Sequence, residues 1–323
     1  MRSETQPPDG SEQGAVLGID IGGTKLASGV VSRDGQVLSD VRQPTPHDTD
    51  AEALLAAVVE LAERARVDAG VSVDALGIGC GGPLLYPEGI VSPLHIPAWR
   101  GFPLRERLAA ELALPAVLDN DAKSFALGEA RFGAGRGSHC LLGMIVSTGV
   151  GGGIVLDGRL LHGASGNAGH IGHVTVEADG PPCPCGARGC VTAYASGTGL
   201  AARARAALAT GERSALAAQP EDAITGRAVV AAAAAEDTLA RRLLDDAARA
   251  LAIGIAGAAN LLDLDRVVIG GGLAQAGELL LEPLRCALHS HTRLAFLHGL
   301  EVRPAALGPA AGVIGAAALT MER

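Results

Sequence analysis

Three of the chain's six cysteines, Cys183, Cys185 and Cys190, fall within eight residues, and His173 lies ten residues before the first of them. Three thiolates and one imidazole complete a closed tetrahedral zinc shell, the usual structural type, which leaves no position open for a substrate. The alternative is one disulfide and a spare thiol, but Cys183 and Cys185 are too close in sequence to bridge comfortably. The spacing therefore predicts a structural zinc that fixes the loop 170–190.

Glycine-rich turns follow three apolar runs, at residues 20–25, 147–153 and 270–272. Glycine lets the backbone approach an anion closely and present its N–H groups to it. Any one of these turns alone is more simply a tight turn, but three together favour a site for nucleotide phosphates. The sequence contains no G-x-x-x-x-G-K-[ST] motif, so a P-loop NTPase is excluded.

Asp119, Asn120 and Asp121 follow a short apolar run and precede a helical pattern. One interpretation is a helix N-cap, a role that Asp and Asn fill well. A second interpretation is that a carboxylate at this junction faces a cleft and acts as a general base. The two roles are compatible, and the residues alone do not choose between them.

These groups need a scaffold, and the alternation of strand and helix patterns along the chain predicts an α/β protein. Its 323 residues suit two domains, and a composition that is 48% hydrophobic but 2% aromatic predicts a core of Val, Leu, Ile and Ala. A strand–hairpin–helix pattern occurs near 16–69 and again near 140–208, which predicts two related lobes with a cleft between them. We also expect a strand near 36–41 and one continuous helix over 191–208.

The net charge of −9 and the pI of about 5.5 argue against a nucleic-acid partner, whose phosphates require a basic surface. Residues 1–14 are polar and lack the apolar core of a signal peptide, so we interpret them as a disordered tail. No run of eighteen uncharged apolar residues occurs, so no membrane span is expected. Six cysteines without a secretory signal predict reduced thiols and a cytoplasmic location.

Five motifs occur in order along the chain: Asp-x-Gly-Gly-Thr-Lys, Asn-Asp at a helix start, Ser-Thr-Gly-x-Gly-Gly-Gly, Gly-x-x-Gly-His and C-x-C-G-x-x-G-C. From about Val16 to about Gly315 the chain therefore resembles the ROK family (repressors, open reading frames, sugar kinases). The resemblance implies a two-lobed actin-like ATPase fold, of the ribonuclease H-like type, carrying the zinc loop. It implies lobes over 15–120 and 121–307, with a C-terminal helix over 308–323 joined to the first. We also expect a homo-oligomer, either a dimer or a tetramer.

The resemblance implies transfer of the γ-phosphate of ATP to the 6-hydroxyl of a hexose or N-acetylhexosamine, with Asp121 taking the hydroxyl proton. Sugar contacts would come from Gly82, Asn120, Asp121, His170, His173 and Thr192. ATP and its Mg²⁺ would lie against Asp20, Gly22, Gly23, Thr24, Lys25, Thr148, Gly149, Gly271 and Gly272. His173 would thus both bind zinc and touch the sugar.

Two positions depart from the family's sugar kinases, which usually carry Glu where this chain has His170 and Thr192. Those carboxylates normally accept hydrogen bonds from hydroxyls near C1 and C2 of the sugar. Neutral histidine offers one acceptor and one donor, and threonine has a shorter reach. We therefore expect reduced affinity for glucose and a preference for a C2-substituted or otherwise unusual hexose.

The departures keep a second function open, a sugar- or nucleotide-binding regulator of the same family with weak catalysis. The family's repressors carry an N-terminal helix-turn-helix, and the fourteen or so residues before the first strand are too few for one. A structural actin-like filament protein is a third possibility, and the zinc motif and the Asn120-Asp121 pair argue against it.

Overall fold

The computed structural model describes residues 14–47 and 49–321, and two five-stranded sheets hold most of the strands found there. The tail expected over 1–14 lies outside the described residues except for Gly14, and so do the last two residues of the helix expected over 308–323. Within the described ranges, no helix combines the length and apolar character that crossing a membrane requires.

The strands follow the chain in two groups separated by α-helices. They are β1 (Ala15–Ile21), β2 (Lys25–Ser32), β3 (Val41–Pro44), β4 (Val73–Cys80), β5 (Leu84–Leu85), β6 (Ile90–Val91), β7 (Ala116–Asn120), β8 (Cys140–Val146), β9 (Val150–Leu156), β10 (Arg159–Leu160), β11 (Arg266–Gly270) and β12 (Glu301–Pro304). The first sheet has the order β3-β2-β1-β4-β7 and the second β10-β9-β8-β11-β12, while β5 and β6 form a separate hairpin.

Both sheets have the same design, an antiparallel hairpin followed by parallel strands. In the first, β1 pairs antiparallel with β2 and parallel with β4, and β4 runs parallel to β7. In the second, β8 pairs antiparallel with β9 and parallel with β11, and β11 runs parallel to β12. This repeat confirms the two-lobed α/β fold expected from the sequence.

The helices cover the sheets. They are α1 (Ala51–Ala69), α2 (Leu104–Leu112), α3 (Asp121–Phe132), α4 (Val191–Ala195), α5 (Gly197–Ala209), α6 (Gly226–Ala234), α7 (Thr238–Leu262), α8 (Glu278–His291) and α9 (Ala311–Ala318). Asp237 begins α7 by accepting a hydrogen bond from Ala240 N at 3.0 Å, as N-cap aspartates do. This alanine-rich helix packs against α8, so the second core is built from small and branched aliphatic side chains.

The last helix, α9, packs on β1, β2 and β4 of the first sheet and also against α3, which in turn packs on β8 and β9 of the second. Glycines allow these close approaches. A Cβ at Gly77 would lie 1.8 Å from Ala316 O, and one at Gly315 would lie 2.5 Å from Ser124 O. The α3–α9 pair therefore ties the two sheets together.

Two local predictions were wrong. The strand expected near 36–41 forms later, as β3, because the Ser39 hydroxyl instead hydrogen-bonds backbone groups of β2 and α1. The helix expected over 191–208 is broken at Ser196, whose backbone is extended. The Ser196 hydroxyl accepts a hydrogen bond from Gly199 N at 2.9 Å, so it caps a second helix, α5.

Candidate active site

The carboxyl ends of β1, β4 and β7 meet at one edge of the first sheet, where Ile21 pairs with Cys80 and Cys80 with Asn120. Because parallel strands deliver their carboxyl ends to the same edge, Asp20 and Asp121 are brought into the same region although about a hundred residues separate them. This edge is the centre of the candidate site.

The turn between β1 and β2 is held in one shape by hydrogen bonds. Gly22 N donates to Lys25 O at 3.0 Å, and the Thr45 hydroxyl donates to Gly22 O at 2.7 Å. Thr24 and Lys25 are exposed at the tip, and Gly23 precedes them. The exposed turn and the ammonium group of Lys25 at the site edge suit an anion such as a phosphate.

The second and third glycine turns border a cleft of about 680 Å³, a volume typical of small-ligand sites. Of the residues predicted to hold ATP, Thr148 and Gly272 line this cleft, whereas those of the β1–β2 turn do not. The Thr198 hydroxyl donates to Thr148 O at 2.9 Å, which seats the first turn of α5 on the β8–β9 turn. Gly149 and Gly271 adjoin the lining residues in the chain, and Gly271 has a φ of +96° that favours glycine.

Sequence reasoning missed much of the wall of this cleft. Val230 and Ala231 from α6 give it an apolar side, and Arg205 and Arg227 add cationic groups. The residues belong to α5 and α6, whose spacing resembles that of any alanine-rich amphipathic helix. No local pattern therefore distinguished them as binding residues.

Asn120 and Asp121 occupy the N-terminus of α3. Asn120 Oδ1 accepts a hydrogen bond from Ala122 N at 3.0 Å, and Asp121 Oδ1 accepts one from the same N–H at 2.8 Å, so the capping interpretation is confirmed. Gly82 lies beside them, because a Cβ there would be 3.4 Å from Asn120 Nδ2. Burial raises the pKa of Asp121, and the Ala122 hydrogen bond and nearby His170 oppose the rise.

Asp20 lies at the end of β1, next to the start of α9. A Cβ at Gly312 would fall 2.2 Å from Asp20 Oδ2, so only glycine leaves room for this carboxylate. Burial and, second, the negative charge of Asp121 raise the pKa of Asp20 to about 6, and Lys25 and Arg42 oppose the rise. Two acidic groups thus share the site, a charge arrangement that suits a divalent cation.

His170 projects from the loop that follows β10. Its Nδ1 lies 2.8 Å from Asn167 O, and since a carbonyl only accepts, Nδ1 carries the proton. In the neutral ring Nε2 then has a free lone pair, and the one N–H of the ring is already used in the hydrogen bond to Asn167 O. The prediction that His170 offers a donor to the sugar therefore needs revision, and this ring presents an acceptor.

Thr192 lies on α4 with only 7% of its surface exposed. Its hydroxyl has no hydrogen-bond partner among the described residues, and a Cβ at Gly172 would lie 2.6 Å from it. The hydroxyl is therefore directed at the short helical turn between His170 and His173. A hydrogen-bonding group with no partner among the described residues therefore lies at the back of this loop.

The predicted metal ligands come together in space. The ligand atoms of His173, Cys183, Cys185 and Cys190 all lie within 4.8 Å of one another. Cys183 Sγ is 3.7 Å from His173 Nδ1, and Cys185 Sγ is 3.8 Å from Cys190 Sγ. Zinc bonds of about 2.0–2.3 Å imply tetrahedron edges close to these separations. Burial lowers the pKa of His173, which favours the neutral imidazole that a metal binds. The cluster therefore fits a zinc ion.

His95 also lies at the site, although no sequence pattern indicated it. A Cβ at Gly23 would lie 2.4 Å from the Cβ of His95, so this side chain packs on the β1–β2 turn. Leu94 N donates to Gly82 O at 3.3 Å, and the Arg100 guanidinium donates to Pro93 O at 2.7 Å. Residues 93–95 are thus held between the turn at Gly23 and the turn at Gly82, both of which were predicted to bind substrate. An isolated histidine among prolines carried no spacing signal that pointed to this role.

Comparison with known proteins identifies the family of this chain. The profile described as the ROK family matches residues 16–323. The chain belongs to the ROK family. The resemblance drawn from the five motifs is therefore confirmed, and it covers nearly all of the chain.

Relatives within the ROK family include sugar kinases. A glucokinase from Halalkalibacterium halodurans is 37% identical over 314 residues, which cover 95% of each chain. An N-acetylmannosamine kinase from Citrobacter koseri is 38% identical over 263 residues, 81% of this chain and 84% of the relative. The structure of a ROK family glucokinase from Streptomyces griseus in complex with glucose and AMPPNP matches with a TM-score of 0.82 and 36% identity, over 95% of this chain and 99% of that one.

Proposed function

We propose that this ROK protein is an ATP-dependent sugar kinase that phosphorylates the 6-hydroxyl of a hexose or N-acetylhexosamine, of the glucose or N-acetylmannosamine class. The observation that carries the proposal is the position of Asp121, which begins α3 beside Gly82 and Asn120 and faces the same region as Asp20. The glucokinase and N-acetylmannosamine kinase that are similar to this chain support the substrate class.

Asp121 acts as the general base that takes the proton of the sugar hydroxyl. A buried carboxylate with a raised pKa is a better proton acceptor near neutral pH than an exposed one. Asn120 and the Gly82 turn hold the sugar beside it, together with His170, His173 and Thr192. In phosphoryl transfer, positioning and charge neutralisation supply most of the rate enhancement, and fixed turns and a capped helix start provide both.

ATP occupies the cleft of about 680 Å³, with its base against the apolar wall of α6 and its phosphates toward Thr148 and Gly149. Gly271 and Gly272 border the adenosine, and the turn Gly22 to Lys25 meets the terminal phosphates. The AMPPNP complex of the Streptomyces griseus relative supports a nucleotide in this fold. Asp20 would hold Mg²⁺, which neutralises phosphate charge when it is bound.

His173, Cys183, Cys185 and Cys190 hold a structural zinc in this proposal. The four ligands leave no open position, so the ion takes no part in phosphoryl transfer. Because His173 uses Nδ1 toward Cys183, its Nε2 is left for the sugar side of the loop. The zinc thus fixes the loop that carries His170.

The division into lobes over 15–120 and 121–307 also stays a proposal. The packing of α9 on the first sheet and of α3 on the second supports it, with the C-terminal helix joined to the first lobe. A homo-oligomeric state and a cytoplasmic location are likewise predictions. Light scattering of the purified protein and fractionation of cells that express it will test them.

A coupled assay of ADP release tests the function, with glucose, mannose, fructose, allose, N-acetylglucosamine and N-acetylmannosamine as acceptors. We expect at least one of these sugars to be phosphorylated. Asp121→Asn keeps the shape and the capping oxygen but loses the proton acceptor, so kcat should fall about 10²-fold or more while the Kd for ATP changes little.

If the Asp121→Asn enzyme keeps the wild-type kcat, Asp121 is not the general base and serves only to cap the helix α3. The regulator alternative rests on His170 and Thr192, which stand where the family resemblance implies two glutamates. A protein that binds sugar in calorimetry but releases no ADP with any acceptor would support that alternative.

A further inference from the structure

Lys123 is a buried cation next to the proposed base. It lies on the first turn of α3, two residues after Asp121, and none of its side chain is exposed. The chain has two lysines and 24 arginines among its 26 basic residues. Both lysines, Lys25 and Lys123, are at the candidate site, so an ammonium group is used where the rest of the chain uses guanidinium.

The ammonium group makes three polar contacts. Nζ lies 2.8 Å from Asp119 Oδ2, donates to Gly166 O at 2.9 Å, and lies 3.0 Å from His162 Nδ1. His162 Nδ1 also lies 3.2 Å from Asp119 Oδ2, so Lys123, Asp119 and His162 form one polar cluster. A compact ammonium group fits between these three close neighbours, and the larger planar guanidinium does not.

Two of these contacts belong to the loop that follows β10 and leads to the sugar site. Gly166 precedes Asn167, whose carbonyl accepts the hydrogen bond from His170 Nδ1 at 2.8 Å. Lys123 therefore connects the helix that begins at Asp121 to the loop that ends at His170. A single buried group thus relates the proposed base to a proposed sugar contact.

The hairpin formed by β5 and β6 joins the same cluster. The Tyr86 ring stacks on His162 with centroids 4.1 Å apart, and Lys123 Nζ lies 5.5 Å from the Tyr86 centroid. Asn167 Nδ2 also donates to Leu84 O at 3.3 Å. The loop is therefore held from both sides, by α3 and by the hairpin next to Gly82.

We propose that Lys123 is a positioning residue for the sugar site. Together with Asp119 it anchors the loop 162–170 and sets the distance between His170 and Asp121. The inference rests on the proposed function only for the meaning of a sugar KM. The anchor itself is a structural claim that can be tested without any substrate.

Stability alone does not explain the cluster. Replacing a buried ion pair by apolar side chains of similar size is often neutral or stabilising, so a fold does not need one for its free energy. What Lys123 adds, and a methionine would lack, is direction toward the Gly166 carbonyl and the His162 ring.

The test compares wild type with the double variant Asp119→Asn/Lys123→Met, which removes the ammonium without leaving a buried carboxylate unpaired. With glucose and N-acetylmannosamine in the ADP-release assay, we expect the sugar KM to rise about tenfold or more, as loss of charged hydrogen bonds predicts. The KM for ATP should stay within about twofold, because the nucleotide cleft lies on other elements. Hydrogen exchange should become faster in residues 162–170 and stay unchanged in α5.

The matched control is Glu129→Gln. Glu129 is a buried charge on the same helix, and it accepts hydrogen bonds from Ala134 N, Ala306 N and Leu307 N, away from the loop. The Glu129→Gln substitution should lower the melting temperature without raising the KM for the sugar.

Hydrogen exchange in residues 162–170 that is as slow in the double variant as in wild type would overturn the proposed anchoring role of Lys123, whether or not the protein is a kinase. Equal rises in the KM values for sugar and ATP would show a general loss of structure and also overturn it. Absence of ADP release in wild type would count against the proposed function alone, since the exchange measurement still decides the anchor.

Discussion

Asp20 is a carboxylate that the fold partly buries and places near a second negative charge. Burial and the charge of Asp121 raise its pKa from 3.8 to about 6. A group whose pKa is higher in the folded state binds its proton more readily there than in the unfolded chain. Its contribution to the free energy of unfolding therefore falls as pH rises from about 4 to about 6 and stays low above that.

The first prediction follows from this sign. Asp20→Asn removes the cost of ionisation, so at pH 8 the variant should be more stable than wild type by about 1–2 kcal/mol, discounted for partial exposure. At pH 5 the advantage should shrink. Thermal unfolding of both proteins at the two pH values measures it.

Activity should move in the opposite sense. If Asp20 holds Mg²⁺ as proposed, the variant should lose kcat, and wild-type kcat/KM should fall as pH drops through about 6, because a protonated carboxyl is a poor ligand for the ion. An Asp20→Asn variant that keeps the wild-type kcat/KM would show that Asp20 has no role in the active site.

His170 gives the second prediction at this scale. With Nδ1 bound to Asn167 O, its neutral ring presents one acceptor, where a carboxylate would present two oxygens. His170→Glu should therefore improve kcat/KM most for sugars with free hydroxyls at C1 and C2. We expect the ratio of glucose to N-acetylmannosamine to change by about tenfold, the effect of one specific hydrogen bond.

The alternative for His170 is that the ring only packs beside the loop. Steady-state measurements with several sugars, in wild type and in His170→Glu, distinguish the two. Ratios between sugars that do not change would mean that His170 does not read the substrate.

Among the elements, the loop 170–190 is the one that we expect to depend most on a bound metal ion. Its backbone turns tightly at Gly186 and Gly189, whose φ values are +94° and +63°, and it contains no strand. Ile171 and Val176 join the large core of the second sheet, whereas Cys183 and Cys190 form only a small separate cluster with Ala193. A metal ion is therefore expected to supply much of its order.

The third prediction is that metal analysis finds about one zinc per chain, as one tetrahedral site implies. Cys185→Ser should lower the zinc content and the melting temperature and should raise hydrogen exchange across 170–190. Cys286→Ser, which changes an exposed thiol on α8 outside the cluster, is the matched control and should do neither. A metal-free protein with full stability would contradict the zinc proposal.

How much the sequence predicted depends on whether a residue acts through local spacing. The cysteines, the glycine turns and Asn120-Asp121 have fixed spacing because neighbouring backbone positions must reach one point. The wall of the cleft and the role of Lys123 could not be predicted in this way, because their partners are distant in the chain, as His162 is from Lys123. The helix break at Ser196 was missed because a serine in an alanine-rich run is compatible with helix until its hydroxyl caps the next one.

At the scale of the whole molecule, the two sheets are connected by helices that touch backbone to backbone. A Cβ at Gly128 of α3 would lie 2.8 Å from the Cα of Gly315 on α9, and one at Gly315 would lie 2.5 Å from Ser124 O. Such contact leaves little freedom for one sheet to unfold while the other stays folded. We therefore expect one cooperative unfolding transition for the chain.

The fourth prediction tests this coupling with Gly315→Ala. The added methyl group must push α3 and α9 apart, which should cost about 1–3 kcal/mol, as overpacking does. Because α3 begins at Asp121, kcat should fall as well. Gly257→Ala on α7 is the matched control, since nothing lies within 4 Å of its Cβ position, and it should be neutral or slightly stabilising.

Differential scanning calorimetry of wild type and both variants, with and without AMPPNP and Mg²⁺, measures the coupling. AMPPNP should bind the cleft on the side of the second sheet. At a hundred times its Kd it should nevertheless raise the free energy of unfolding of the whole wild-type chain by about 2.7 kcal/mol, and so shift the single transition to higher temperature. In Gly315→Ala we expect the transition to broaden or divide, with only the part containing Thr148 and Gly272 shifted by the nucleotide. A wild-type trace that already shows two transitions, only one of them sensitive to AMPPNP, would mean that the α3–α9 contact does not couple the lobes.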